Sequence, residues 1–278
     1  RQRQCFSCHH QALPTLVLAT ARRHGFKINE ENFKQQIVRT ANHLERGKNN
    51  YLEGRGQGGK ADTAGYALWA LEAGGRQPDE ITAAVTSFLL SWRKNGDHWS
   101  RSGNRPPSEA SDFTTTYLAL RGLGTFATEE QAETVVERRK KALKWLVDSK
   151  STETEERVFR LRGLTYLEAG DDARRGTIKA LLESQREDGG WSQTDQLDSD
   201  AYATGTVLVA LFRAGALKVS DPAYRRGVSF LMKTQHEDGS WYVKSRSKPF
   251  QTYFESGFPH GPDQFISISG SCWATMAL

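Results

Sequence analysis

Apolar residues recur at helical spacing in eleven stretches of this chain, each closed by a short polar turn that usually carries glycine. Three of the stretches share a plan: "KADTAGYALWALEAGG" (60–75), "ASDFTTTYLALRGLG" (110–124) and "DSDAYATGTVLVALFRAG" (198–215). In each an Asp leads a helix of small residues and a Gly trails it. The Asp caps the N-terminus and the Gly supplies a left-handed exit. Small residues let neighbouring helices approach closely, which suits an inner layer. On this reading, inner helices lie near 11–24, 62–74, 112–124, 155–169, 199–214 and 267–278. Outer helices lie near 33–46, 79–93, 130–149, 173–185 and 222–234. Helix pairs repeating every forty to fifty residues, without strand patterns, predict a solenoid or a closed ring. Closure is the more economical: an all-α, α6/α6 toroid forming a single domain over 1–278.

The turns repeat as well. "QREDGGW" (185–191) and "QHEDGSW" (235–241) align without gaps, fifty residues apart, each after a helical apolar run: Ile178, Leu181 and Leu182, then Val228, Phe230 and Leu231. "SWRKNGDHW" (91–99) is a looser third copy.

These Q-x-x-x-G-x-W segments resemble the QW repeats of the squalene-hopene cyclase family, and "ESGFPHG" (255–261) is similar to that family's Gly-Phe-Pro stretch. The resemblance is strongest over 173–278 and weaker before it. It implies an α/α barrel whose helix ends are stapled by the repeats, in a superfamily that includes protein prenyltransferases and the thioester domains of complement-like proteins. It also implies an apolar, isoprenoid-like ligand. A triterpene cyclase places its active site between two such barrels, and this chain has the length of one. The family's D-x-D-D motif is matched by Asp198, Ser199, Asp200 and Ala201, with Asp200 at the position of the proton donor and Asp198 two residues before it. Ala201 stands where a second carboxylate would support that acid. Asp200 also reads as a plain N-cap, like Asp62 and Asp112. The D-x-C zinc signature of prenyltransferases does not occur, and Cys272 reads as a buried thiol.

Composition narrows the classes. With 37% apolar and 26% charged residues, the chain is globular rather than disordered. The net charge of +5 is spread among alternating signs, as in "TEEQAETVVERRKKALKW" (128–145), so nucleic acid is not an expected partner. No apolar run approaches the roughly 18 residues of a membrane span, although contact with a membrane surface stays open. The first residue is Arg and no signal peptide precedes it, which reads as a processed product, and the expected location is periplasmic or otherwise extracytoplasmic.

Candidate chemistry gathers at the start of the chain, in "CFSCHHQALP" (5–14). Cys5, Cys8 and His9 have the C-x-x-C-H spacing that attaches c-type haem. Cys8 and Gln11 have the spacing of an internal thioester. Cys8 with His9 or His10 is also a partial ligand set for a divalent metal. A Cys5–Cys8 disulfide or two structural thiols complete the alternatives. If the inner helices run parallel, their N-termini open on one face and bring together Cys8, His9, His10, Gln11, Asp62, Asp112, Asp198, Asp200, His260 and Asp263. Tyr66, Trp69, Tyr117, Tyr202 and Trp273 then line an apolar cavity below that rim. Three functions follow from these residues: an isoprenoid-binding or cyclising protein with Asp200 as acid, a redox scaffold carrying haem, and a carbohydrate-active toroid using rim carboxylates.

Overall fold

The computed structural model describes residues 6–93, 96–248 and 253–278, and only the backbone of His9. Among the described residues all regular structure is helical, apart from isolated bridge residues at Arg105 and Glu109 and a bridge between Ser192 and Ser199. The helices are α1 (Leu13–Arg23), α2 (Glu30–Arg46), α3 (Lys48–Leu52), α4 (Lys60–Ala73), α5 (Glu80–Ser91) and α6 (Asp112–Phe126). They continue with α7 (Ala132–Asp148), α8 (Thr154–Tyr166), α9 (Asp171–Glu183), α10 (Ala201–Arg213), α11 (Pro222–Thr234) and α12 (Gln264–Ala277). Each of the eleven expected helices is present, with ends displaced by at most three residues. The extra one, α3, buries only Tyr51 and is too short and polar to show a period.

The chain divides into two compact units, Arg1–Asn104 with Glu109–Asp148, and Arg105–Ser108 with Ser149–Leu278. In the first, α4 and α6 pack together at the centre. Every residue of α4 from Ala61 to Leu71 is buried. A Cβ on Gly65 would lie 2.6 Å from Leu118 Cβ, and one on Gly122 2.7 Å from Leu68 Cδ1, so each helix offers a glycine to the other's leucine. Around them, α2 and α7 bury a single stripe each, Phe33, Thr40, Ala41 and Leu44 on α2, and Val135, Arg138, Ala142 and Leu146 on α7. These are helices with one wet face. Helix α1, expected in the inner layer, buries only Leu13, Thr15, Leu16 and Ala19.

The second unit repeats the arrangement. Helix α10 is buried at every position from Ala201 to Leu211 and packs between α8 and α12. A Cβ on Gly205 would stand 2.5 Å from the Trp273 carbonyl carbon, and one on Gly270 3.3 Å from the Tyr202 nitrogen. Backbone therefore meets backbone, the close approach that the small residues predict. Outside them, α9 buries only Thr177 and Leu181, and α11 only Tyr224, Gly227, Phe230 and Leu231.

Three tryptophans join the layers within the units. Trp99, Trp191 and Trp241 are buried, and each indole N–H donates to the carbonyl ten residues earlier, in the last turn of an outer helix: Leu89 at 2.7 Å, Leu181 at 2.7 Å and Leu231 at 2.8 Å. Carbonyls in the last turn of a helix lack a backbone donor from a following turn, and here the indole supplies one, beside the hydroxyl of Ser184 at Leu181 and of Thr234 at Leu231. The backbone N–H of the same tryptophans donates to a hydroxyl on the next inner helix, Thr116 at 3.0 Å, Thr204 at 2.9 Å and Ser271 at 2.9 Å. The glutamines at the other end of the motif fold back on the turn, Gln185 Nε2 donating to Gly189 O at 2.8 Å and Gln235 Nε2 to Gly239 O at 3.0 Å. Both glycines hold positive φ, +89° and +82°.

Candidate functional site

After each tryptophan the chain passes the start of an inner helix, and this places the aspartates. In the first unit, successive amides of one loop bind two helices: Arg101 N–H donates to Asp112 Oδ1 at 2.9 Å and Ser102 N–H to Asp62 Oδ2 at 3.1 Å. Asp62 is 2% exposed and also accepts from the Thr115 hydroxyl. Burial pushes its carboxyl up, against the hydrogen bonds from Thr115 and Ser102 that favour the ion. Asp112 accepts in addition from His98 Nε2 at 3.4 Å, while His98 Nδ1 lies 2.6 Å from Asp97 Oδ1. The imidazole stacks on Trp145, with centroids 4.3 Å apart. Its hydrogen bond to Asp112 raises the His98 pKa despite burial. Burial works against ionisation of Asp112, but His98 and the Arg101 amide outweigh it and hold the carboxyl below its ordinary range.

In the second unit, Asp200 is half-buried at the N-cap of α10. Its Oδ1 accepts from Ala203 N–H at 2.8 Å and its Oδ2 from Gln193 Nε2 at 2.9 Å. Gln193 Oε1 in turn accepts from Arg246 Nε at 2.9 Å, and Arg246 Nη2 donates to Glu153 Oε2 at 2.9 Å. Desolvation pushes Asp200 up to about 6, while the Ala203 and Gln193 bonds and the nearby Arg246 charge pull the other way. Asp198 is exposed and lies outside this network. Tyr202, buried, donates its hydroxyl to buried Glu155 at 3.0 Å.

Asp263 closes the same unit by a longer ladder. Trp241, Val243 and Ser245 donate their amides to Ser271, Ser267 and Asp263, side chains one helical turn apart on α12 and its N-terminus, at 2.9, 3.1 and 2.9 Å. His260, at φ +81°, sets Nε2 2.8 Å from Ser240 Oγ, and the ring of His236 lies 5.0 Å away. Burial and the His236 charge lower the His260 pKa.

The N-terminal cluster packs in the first unit as a π-helical turn, Cys8–Ala12, against α4. Ser7 caps it: Ser7 Oγ accepts from His10 N–H at 3.2 Å, and Gln11 Oε1 accepts from Ser7 N–H at 2.9 Å. Gln11 is thus engaged as a reciprocal cap. Cys8 is buried close to Tyr51, whose phenol burial, together with Cys8, raises. His10 is half-buried. Cys5 and the His9 side chain lie outside the described residues, so the haem spacing is represented by Cys8 alone. Among the described residues no group of three or more His, Cys, Asp and Glu stands ready for a metal.

The predicted residues thus fall into two sets. Cys8, His10, Gln11, Asp62 and Asp112 belong to the first unit, and Asp198, Asp200, Tyr202, His260 and Asp263 to the second. Within each unit hydrogen bonds tie the N-terminal ends of two central helices together, α4 with α6 through Asp62 and α8 with α10 through Glu153, Arg246, Gln193 and Asp200.

Two arginines escaped the sequence reading. Arg121 makes a two-pronged pair with Glu72, at 2.5 and 2.8 Å, and lies 5.4 Å from the centre of the Trp69 ring. Arg162, 4% exposed, lies 5.0 Å from the ring of Trp273 and 5.3 Å from that of Phe159. The aromatic rings expected to line an apolar cavity therefore carry guanidinium groups. The signal was present as Leu-Arg-Gly-Leu, which occurs at both 120–123 and 161–164.

Among solved structures, the chain is similar to the apo type II terpene cyclase MstE from Scytonema, with a TM-score of 0.61 over 97% of this chain and 86% of that one, at 12% sequence identity. This chain has a terpene-cyclase-like, all-helical fold. No family model and no curated protein matches its sequence.

Proposed function

We propose that this chain is an α6/α6 toroid protein that binds an apolar, isoprenoid-like ligand among its enclosed helices. The observation that carries the reading is the likeness to a type II terpene cyclase along 97% of the chain. Buried aromatic residues on the central helices, Tyr66, Trp69 and Tyr117 in one unit and Tyr202 and Trp273 in the other, support it. Binding rather than cyclisation is the better-supported activity. Protonating an alkene requires a carboxylic acid whose proton points at the substrate, and both oxygens of Asp200 accept N–H donors. Native mass spectrometry and tryptophan fluorescence with farnesol, geranylgeraniol and squalene test the proposal. Saturable one-to-one binding, weakened by Tyr202→Ala in a variant that retains the native circular dichroism, is expected. Absence of binding by all three would overturn it.

A second reading, with Asp200 as proton donor, rests on its raised pKa of about 6. It requires that a polyprene be converted to a cyclic product and that Asp200→Asn abolish the conversion while leaving binding intact.

A further inference from the structure

Helix α1 ends in a Schellman turn. Phe26 N–H donates to Ala21 O at 3.0 Å and Gly25 N–H to Arg22 O at 3.1 Å, with Gly25 at φ +82°. In such turns the residue after the glycine commonly folds an apolar side chain onto the end of the helix. Here the last turn presents Arg22 and Arg23, and Phe26 remains 70% exposed, more than any other large apolar side chain among the described residues. The ring thus stands clear of a hydrogen-bonded turn instead of packing on the end of its helix.

The surroundings are basic and partly apolar. Arg22, Arg23 and Lys27 stand beside Phe26 along the chain, all exposed, and the Arg22 guanidinium lies 4.7 Å over the ring of Phe33. Arg22 also borders a surface groove of about 370 Å³ with Phe33, Lys34 and Val38 of α2, and Val38 is 47% exposed. Two carboxylates face the same groove. Glu30 is paired with Arg22 at 3.4 Å, and Glu31 accepts from Gln35 Nε2 at 2.9 Å. Arg23, Lys27 and Lys34 then outnumber Glu31, which leaves the patch positive.

We propose that this end of the first unit docks on an anionic lipid bilayer, Phe26 entering the headgroup layer while Arg23, Lys27 and Lys34 meet lipid phosphates and carboxylates. An exposed aromatic ring on a basic patch matches the interface of such a bilayer on both counts, apolar depth and surface charge. A nucleic acid would use the cations and leave the phenyl ring and Val38 without a role. The inference is independent of the ligand reading, because it is measured without any isoprenoid.

The test is co-sedimentation of the full chain with vesicles of phosphatidylcholine mixed with phosphatidylserine, and with phosphatidylcholine alone. The wild-type protein should partition onto the anionic vesicles and be released by salt. Arg23→Gln with Lys27→Gln should weaken that partition on the order of 20-fold, at about fivefold per charge. Phe26→Ser should weaken it as well, and Lys140→Gln with Lys141→Gln, two exposed lysines on α7, should leave it unchanged. All variants alter exposed side chains, and circular dichroism verifies their fold. Equal partition onto neutral and anionic vesicles, none onto either, or wild-type behaviour of the Phe26 and Arg23/Lys27 variants would each overturn the proposal.

Discussion

Asp200 has two tasks that pull against each other. As an N-cap it satisfies the Ala203 amide, and as a partly buried carboxylate it bears a desolvation cost that raises it from an ordinary 3.8 to about 6. A carboxyl raised on folding stabilises the fold fully below its unfolded pKa, and the contribution disappears as pH climbs through the folded value. Urea midpoints of the wild type should therefore fall between pH 4 and 6, and those of Asp200→Asn should lack that component, since Asn caps as well as Asp. Asp200→Ala, which removes the cap as well as the charge, should be about 1 kcal/mol less stable than Asp200→Asn at every pH. His98 and Asp112 behave differently. The raised His98 stabilises below 6.5 and loses its effect as pH rises through its folded value, whereas the lowered Asp112 stabilises above 3.8 and loses its effect in stronger acid. Their clamp is strongest between those limits, and His98→Gln should flatten the stability profile there, as followed by urea titration at stepped pH.

At the scale of the element, the tryptophans and the central glycines hold helices in place by different means. Trp191→Phe keeps most of the ring's volume but removes the indole donor and leaves the Leu181 carbonyl with the Ser184 hydroxyl alone, which should cost about 1 kcal/mol of unfolding free energy. Gly205→Ala inserts a methyl group against the backbone of α12, where no side chain can rotate aside, and should cost more, about 1–3 kcal/mol. Gly176→Ala, on the open face of α9 with nothing within 4 Å, should instead stabilise slightly; thermal denaturation of the two variants decides. Both kinds of contact were legible in the sequence because each is local in pattern: Q-x-x-x-G-x-W after an apolar run, and small residues after a leading Asp. The partners of the aspartates were not. Arg246 reaches Glu153 across 93 residues of chain, and no spacing rule marks such a pair. Arg121 and Arg162 were hidden for another reason, since arginine within a helix ordinarily reads as a wet face, whereas these two lie against aromatic rings.

For the molecule as a whole, the burial pattern sets an order of opening that does not depend on what the protein binds. Helices α4, α6, α10 and α12 are surrounded on nearly all sides, so exchanging their amide hydrogens requires the loss of their own unit's core. Helices α2 and α9 keep one wet face, and α3 buries Tyr51 alone and is otherwise tied to α5 by the Lys48–Glu80 surface pair, so all three can open while that core persists. Hydrogen–deuterium exchange read by mass spectrometry should therefore rank peptides from α4, α6, α10 and α12 slowest, then α2 and α9, with α3 fastest. Asp62→Ala provides the sharper test. It removes the acceptor that Thr115 and Ser102 share, and so the tie between the starts of α4 and α6. Exchange should accelerate at the N-terminal turns of both helices and in 98–103, while α10 and α12 keep their protection. Uniform acceleration along α4 would instead show that Asp62 supports the core itself rather than the junction of the two helix ends.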